Sequence, residues 1–198
     1  MTHARGFTLV EIAIVLVIIG LIMGGVLNAR SVLRNAHSKD TVKAVADIAT
    51  ASQQFRDRYG AWPGDMVGAV AAIPDLSVTC VGNGNGIINA GVESSCATEE
   101  LIRTSMLRGD ALSPITLNGT VIISLTNRAT AAALPGLAGL PANWVNVLRV
   151  QNIDCDIAIQ LDRANDDGNV ATGNFRSGTV CPGQDEAVAV ANAVLRLN

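Results

Sequence analysis

Apolar residues run without a charge from Ile12 to Leu27. Phe7-Thr-Leu-Val-Glu11 stands before them, and the short leader Met1-Thr-His-Ala-Arg-Gly6 before that. As a helix, Phe7 to Leu27 would be about 31 Å long at roughly 1.5 Å per residue, the hydrocarbon thickness of a bilayer. Past Asn28 the pattern changes. Val45, Ile48, Ser52, Phe55 and Tyr59 recur at steps of three and four, widened by Val42 and Ala49. Lys39, Lys43, Asp47, Arg56 and Asp57 take the other face. Such a stripe belongs to an amphipathic helix packed on a globular domain. No proline or glycine interrupts Ser31 to Tyr59, so one continuous helix is predicted from about Phe7 to Tyr59. Two helices with a break near Asn28 are the alternative. Gly60 suits a C-cap, and Pro63 cannot continue the ladder.

The remaining chain reads as short elements. Val67 to Ile73 predicts a helical turn before Pro74. Gly82-Asn-Gly-Asn-Gly86 lacks the Gly-Lys-Ser/Thr of a phosphate loop and reads as a flexible surface loop. Thr98-Glu-Glu100 predicts a capped helix reaching about Leu107, with Gly109 as its stop. Pro114 to Leu117, the Asn118-Gly119 turn and Thr120 to Leu125 predict a hairpin. Ala129 to Ala142 reads as a loop, and Trp144 to Val150 as a third strand beside the second. Ile153 to Ala164 fits both a strand and a helix capped by Asp154. Asp185 to Leu197 predicts a helix starting at Asp185-Glu186, with a terminal strand as the alternative. The fold class is therefore α+β: a long N-terminal helix packed against a small antiparallel sheet.

Composition narrows the picture. The 198 residues suffice for one modest domain and an anchor. With only 3% aromatic residues, the core must be built from Val, Ile, Leu and Ala. A net charge of -3 gives no basic face, so no nucleic-acid partner is expected. Cys80, Cys96, Cys155 and Cys181 all lie beyond the apolar run, which suits two disulfides in an oxidising compartment. Three pairings exist; Cys80–Cys96 and Cys155–Cys181 are favoured because both close local loops. No C-x-x-C supports zinc or redox chemistry. Of the two histidines, His3 lies in the leader and His37 on the long helix, so neither an enzyme nor a cofactor is expected. Asp162, Asp166 and Asp167 are candidate calcium ligands on a glycine-containing loop, but EF-hand spacing is absent and a solvated turn weighs more. An ordinary signal peptide fits the N-terminus less well, because no clear small-x-small site follows the long apolar run. The flanking Arg5, Arg30, Arg34 and Lys39 do not set the topology by themselves.

Glu11 sits inside this apolar run, where an unpaired carboxylate costs on the order of 2–3 kcal/mol at the bilayer centre and less near its surface. Either it lies at the membrane interface or it meets a positive partner. Gly6-Phe7-Thr8-Leu9-Val10-Glu11, with Ile12 to Gly20 behind it, closely resembles the start of the type IV pilin and type II secretion pseudopilin family. The resemblance implies a leader of residues 1–6, removed after Gly6 on the cytoplasmic side by a prepilin peptidase. It implies methylation of the new terminus at Phe7, and a role for Glu11 in docking into a growing filament. It implies a transmembrane and filament-core helix over 7–30 and a pilin globular domain over 31–198. The implied partners are further copies of the chain, the peptidase, an inner-membrane assembly platform and, before assembly, the bacterial inner membrane. The implied locations are a single-pass state with a cytoplasmic N-terminus, then an extracellular pilus or periplasmic pseudopilus. Tyr59-Gly-Ala-Trp-Pro63-Gly64-Asp65, and Leu161 to Gly168 with Thr172-Gly173, are similar to segments of a prepilin subset in which a helix precedes the second loop. That tips Ile153 to Ala164 towards helix. A structural pilus subunit leads; a pseudopilin or minor pilin, and a signal-anchored periplasmic enzyme or binding protein, are the alternatives.

Overall fold

The computed structural model describes residues 8–109, 115–183 and 188–198, with backbone alone for residues 27, 28 and 30. In chain order the elements are α1 (Leu9–Tyr59), α2 (Ala69–Ala72), α3 (Val92–Arg103), β1 (Ile115–Leu117), β2 (Val121–Asn127), α4 (Arg128–Ala132), β3 (Asn146–Asp154), α5 (Cys155–Asn165), β4 (Phe175–Ser177) and β5 (Ala189–Arg196). The chain divides into two units, one ending at Lys39 and one running Asp40–Asn198. In the first, every described side chain from Thr8 to Val26 is exposed. Among the described residues, α1 is the one helix long and apolar enough to cross a membrane.

The second unit has a core of its own. The stripe read from the sequence is its helical wall: Val45, Ile48, Ser52 and Phe55 are at most 2% exposed. Ser52 tolerates this burial because its hydroxyl donates to the Ile48 carbonyl at 2.8 Å. Gly60 ends α1 with φ +74° and returns its N–H to the Arg56 carbonyl at 2.8 Å. Trp62 is buried beyond it, with the Arg56 guanidinium 4.9 Å above its ring.

Among the described residues, five antiparallel strands form one sheet in the order β1-β2-β3-β5-β4. Asn118 and Gly119 supply the two positive φ angles that the β1–β2 turn needs. Ile123 lies opposite Val150, and Val150 opposite Ala193; all three join Val45, Ile48 and Phe55 in the main core. The other face is covered too: Val147 and Val194 pack with Ala131, Leu137, Leu140 and Trp144.

Several expectations need correction. The terminal segment is strand β5, not a helix. Its residues Val190, Ala193, Val194 and Leu195 are all buried because β5 lies inside the sheet with both faces covered, so strict alternation is lost. Asp185 and Glu186 lie outside the described residues. Helix α3 starts at Val92 rather than at Thr98, which is buried in mid-helix. It stops at a Schellman turn with Ser105 at φ +59°, whose N–H reaches the Ile102 carbonyl while that of Met106 reaches Leu101. A serine there carries no stop signal, and Gly109 comes too late. The expected 129–142 loop opens with α4, capped by Asn127, whose side-chain oxygen accepts from the Thr130 N–H at 2.8 Å. The ambiguous segment 153–164 is shared: β3 runs to Asp154, and α5 follows from Cys155. Asp154 holds the N-cap position but makes no side-chain cap bond. Cys80 is bonded to Cys96 and Cys155 to Cys181.

Candidate functional site

At the N-terminal end, Gly6 and Phe7 lie outside the described residues. Thr8 and Glu11 are described, and they bond reciprocally. The Thr8 N–H and hydroxyl donate to Glu11 Oε2 at 2.8 and 2.9 Å, and the Glu11 N–H donates to Thr8 Oγ1 at 3.3 Å. This is a capping box, with Thr8 at the N-cap and Glu11 at the third helical position. It satisfies backbone donors that a helix start leaves open and sets the carboxylate against the positive end of the helix. Thr8-x-x-Glu11 carries the capping-box spacing in the sequence itself, beside the interfacial and positive-partner readings of the carboxylate. From Glu11 the apolar surface continues, with Leu16, Val17 and Leu21 all more than 60% exposed. A Cβ built at Gly20, Gly24 or Gly25 meets nothing within 4 Å.

The turn after α1 is a second concentration of polar groups. Asp65 is 1% exposed, and its carboxylate accepts from the Asn85 N–H at 3.0 Å and the Gly86 N–H at 2.8 Å. Gly82-Asn-Gly-Asn-Gly86 is thus an N–H cradle for an internal anion. It is not the free loop its composition predicts. Gly82 is required because a Cβ there would sit 2.2 Å from the Asp65 carbonyl carbon. Glu93 binds the same loop through the Asn83 and Asn89 N–H groups at 3.2 and 2.8 Å. Glu99 accepts from the Ser77 N–H at 3.0 Å, and Glu100 from the Gly64 N–H at 2.7 Å. These glutamates are buried on α3 together with Cys96, Ala97 and Leu101. The partners of Glu99 and Glu100 lie 22 and 36 residues away, so no local spacing announced them.

The three candidate calcium ligands do different work. Asp166 accepts from the Asn174 N–H, and Asp167 from the Asn169 N–H at 2.9 Å, which shapes the 166–174 turn. Asp162 is fully buried, and neither oxygen reaches a partner at hydrogen-bonding geometry. Burial raises its pKa, against the pull of the nearby Gly168 N–H. Among the described residues, no group of three or more His, Cys, Asp or Glu is placed to hold a metal ion.

A membrane-length apolar helix that continues into the core of a disulfide-bonded α+β domain with a small antiparallel sheet is a pilin-like architecture. The family model for the prokaryotic N-terminal methylation motif matches residues 1–27. The chain therefore carries the prepilin signal of type IV pilins and pseudopilins. No curated protein and no solved structure matches the chain.

Proposed function

We propose that the chain is a structural subunit of a type IV pilus, cut after Gly6 and methylated at Phe7 by a prepilin peptidase. The observation that carries this reading is the prepilin signal leading directly into an exposed apolar helix with one carboxylate in its first turn. Residues 7–30 anchor the subunit in the inner membrane, with 31–198 on the far side, and then pack with their copies in the filament core. One apolar surface serves both states, because neighbouring helices replace lipid. Gly20, Gly24 and Gly25, with open space above each, let a neighbouring backbone approach closely. Glu11 meets the Phe7 amine of a neighbouring subunit and so selects the axial register, since a carboxylate left unpaired in an apolar fibre is costly. The size of the domain and its two disulfides favour a pilus over a pseudopilus.

Intact mass and N-terminal sequencing of the mature protein test the processing step. A methylated Phe7 terminus is expected; a start near Arg30 would identify a signal-peptide substrate instead. For assembly, Glu11→Ala should leave membrane insertion intact and reduce surface filaments at least tenfold by electron microscopy. Normal filament numbers from that variant would remove Glu11 from the register role.

A further inference from the structure

We propose that the buried carboxylates joining the turn after α1 to α3 form a proton-operated latch, in which Glu100 takes up a proton to close the turn onto α3 and releases it to loosen it. Glu100 is fully buried, with Oε2 occupied by the Gly64 N–H at 2.7 Å and Oε1 left without a partner. A buried carboxylate with one bare oxygen is an expensive anion but a much cheaper neutral acid.

The groups around it make the anion worse. Asp65, from the turn, is 1% exposed; Glu93 and Glu99, on α3 itself, are 6% and 8% exposed. Each of the three repels a charge on Glu100. Compensation is thin. The Arg103 Nε lies 3.6 Å from Glu99 Oε1 and is partly solvated, while Arg56 of α1 is spent on the Trp62 ring. Strand β2, against which α3 packs, carries no ionisable side chain, and Cys80 and Cys96 are bonded to each other. Asp65 and Glu93 are satisfied as anions by loop N–H groups. Glu100, with one N–H for two oxygens, is the member that holds the proton. Burial first, against the Gly64 N–H that favours the anion, and then the three neighbouring carboxylates push its pKa up to about 7.

The mechanical consequence is local. Glu100 grips the Gly64 N–H, Asp65 grips the 82–86 loop, and Glu93 grips that loop from α3. Loss of the proton leaves the Gly64 N–H bond in place but puts an under-solvated charge beside three other carboxylates, so the closed circuit as a whole is destabilised. In the open form, where Glu100 is solvated and titrates near its ordinary value, the anion is no longer penalised. Opening therefore becomes easier as pH rises from that value to about 7 and levels off above it.

Hydrogen exchange read by mass spectrometry on the full-length protein in detergent micelles tests the latch. After correction for the intrinsic pH dependence of exchange, protection of the peptides containing Gly64–Asp65 and Asn83–Gly86 should fall on the order of tenfold or more between pH 5 and pH 7.5. In Glu100→Gln, which keeps the acceptor for Gly64, the corrected protection should be flat over that range. A flat profile in the unaltered protein overturns the proposal. So does a falling profile that Glu100→Gln reproduces. The first comparison stands alone if the variant does not fold.

Discussion

A methyl group added at Gly64 is the smallest change that would break the turn after α1. Gly64 has φ +86°, and a Cβ there would sit 2.1 Å from the Glu93 carbonyl oxygen. Neither the backbone of an L-residue nor the helix behind it can yield cheaply. Gly64→Ala should lower stability by about 2–4 kcal/mol, measured as a shift in the denaturant midpoint at unchanged slope. Glu100 makes the opposite case. Its folded-state pKa is raised, so its contribution to stability is fully present below the unfolded value and is lost as pH rises towards about 7. Glu100→Gln should therefore melt higher than the unaltered protein at pH 8 and close to it at pH 5; a lower melting temperature at both would contradict this. At this scale the sequence was partly legible. Thr8-x-x-Glu11 has a fixed local spacing, and Gly60 sits where an amphipathic stripe ends. Asp65 and Glu100 were not legible, because their partners lie 20 and 36 residues away.

The two halves of α1 make a controlled comparison within one helix. Phe55 is fully buried, while Val17 is 63% exposed. Phe55→Ala should destabilise the 40–198 unit by about 3–5 kcal/mol. Val17→Ala should leave its unfolding unchanged and act, in the proposed filament, only on assembly; thermal melts in detergent separate the two. Long periodic elements such as α1 announce themselves, and so does a hairpin with Asn-Gly at its tip. Strand β5 did not, because burial on both faces replaces alternation with a run of Val and Ala that also suits a helix. Helix α3 was mistaken in its start because Thr98-Glu99-Glu100 imitates a capped first turn, and in its end because Ser105 takes the left-handed position that usually holds glycine.

Across the whole molecule the two disulfides divide the work of restraint. Cys80–Cys96 ties the 82–86 loop to α3, and Cys155–Cys181 ties the start of α5 to the segment before β5. Their separations of 16 and 26 residues imply about 3 kcal/mol of stabilisation each through restriction of the unfolded chain. Cys155→Ser with Cys181→Ser should lose about that much in denaturant titration. Locality made the pairing readable from sequence alone, whereas the two-sided cover of the sheet was not, since it depends on α4 and the 133–145 segment folding over Val147 and Val194. The Asp65 cradle has a consequence for the order of events in oxidation. Asp65 holds backbone that lies inside the Cys80–Cys96 loop, so removing its carboxylate is expected to slow closure of that bridge. Asp65→Ala should delay the trapping of Cys80 and Cys96 as a pair during oxidative refolding, followed by timed thiol blocking and peptide mapping, while Cys155 and Cys181 join at their usual rate. Equal delay of both bridges would place the aspartate outside that sequence.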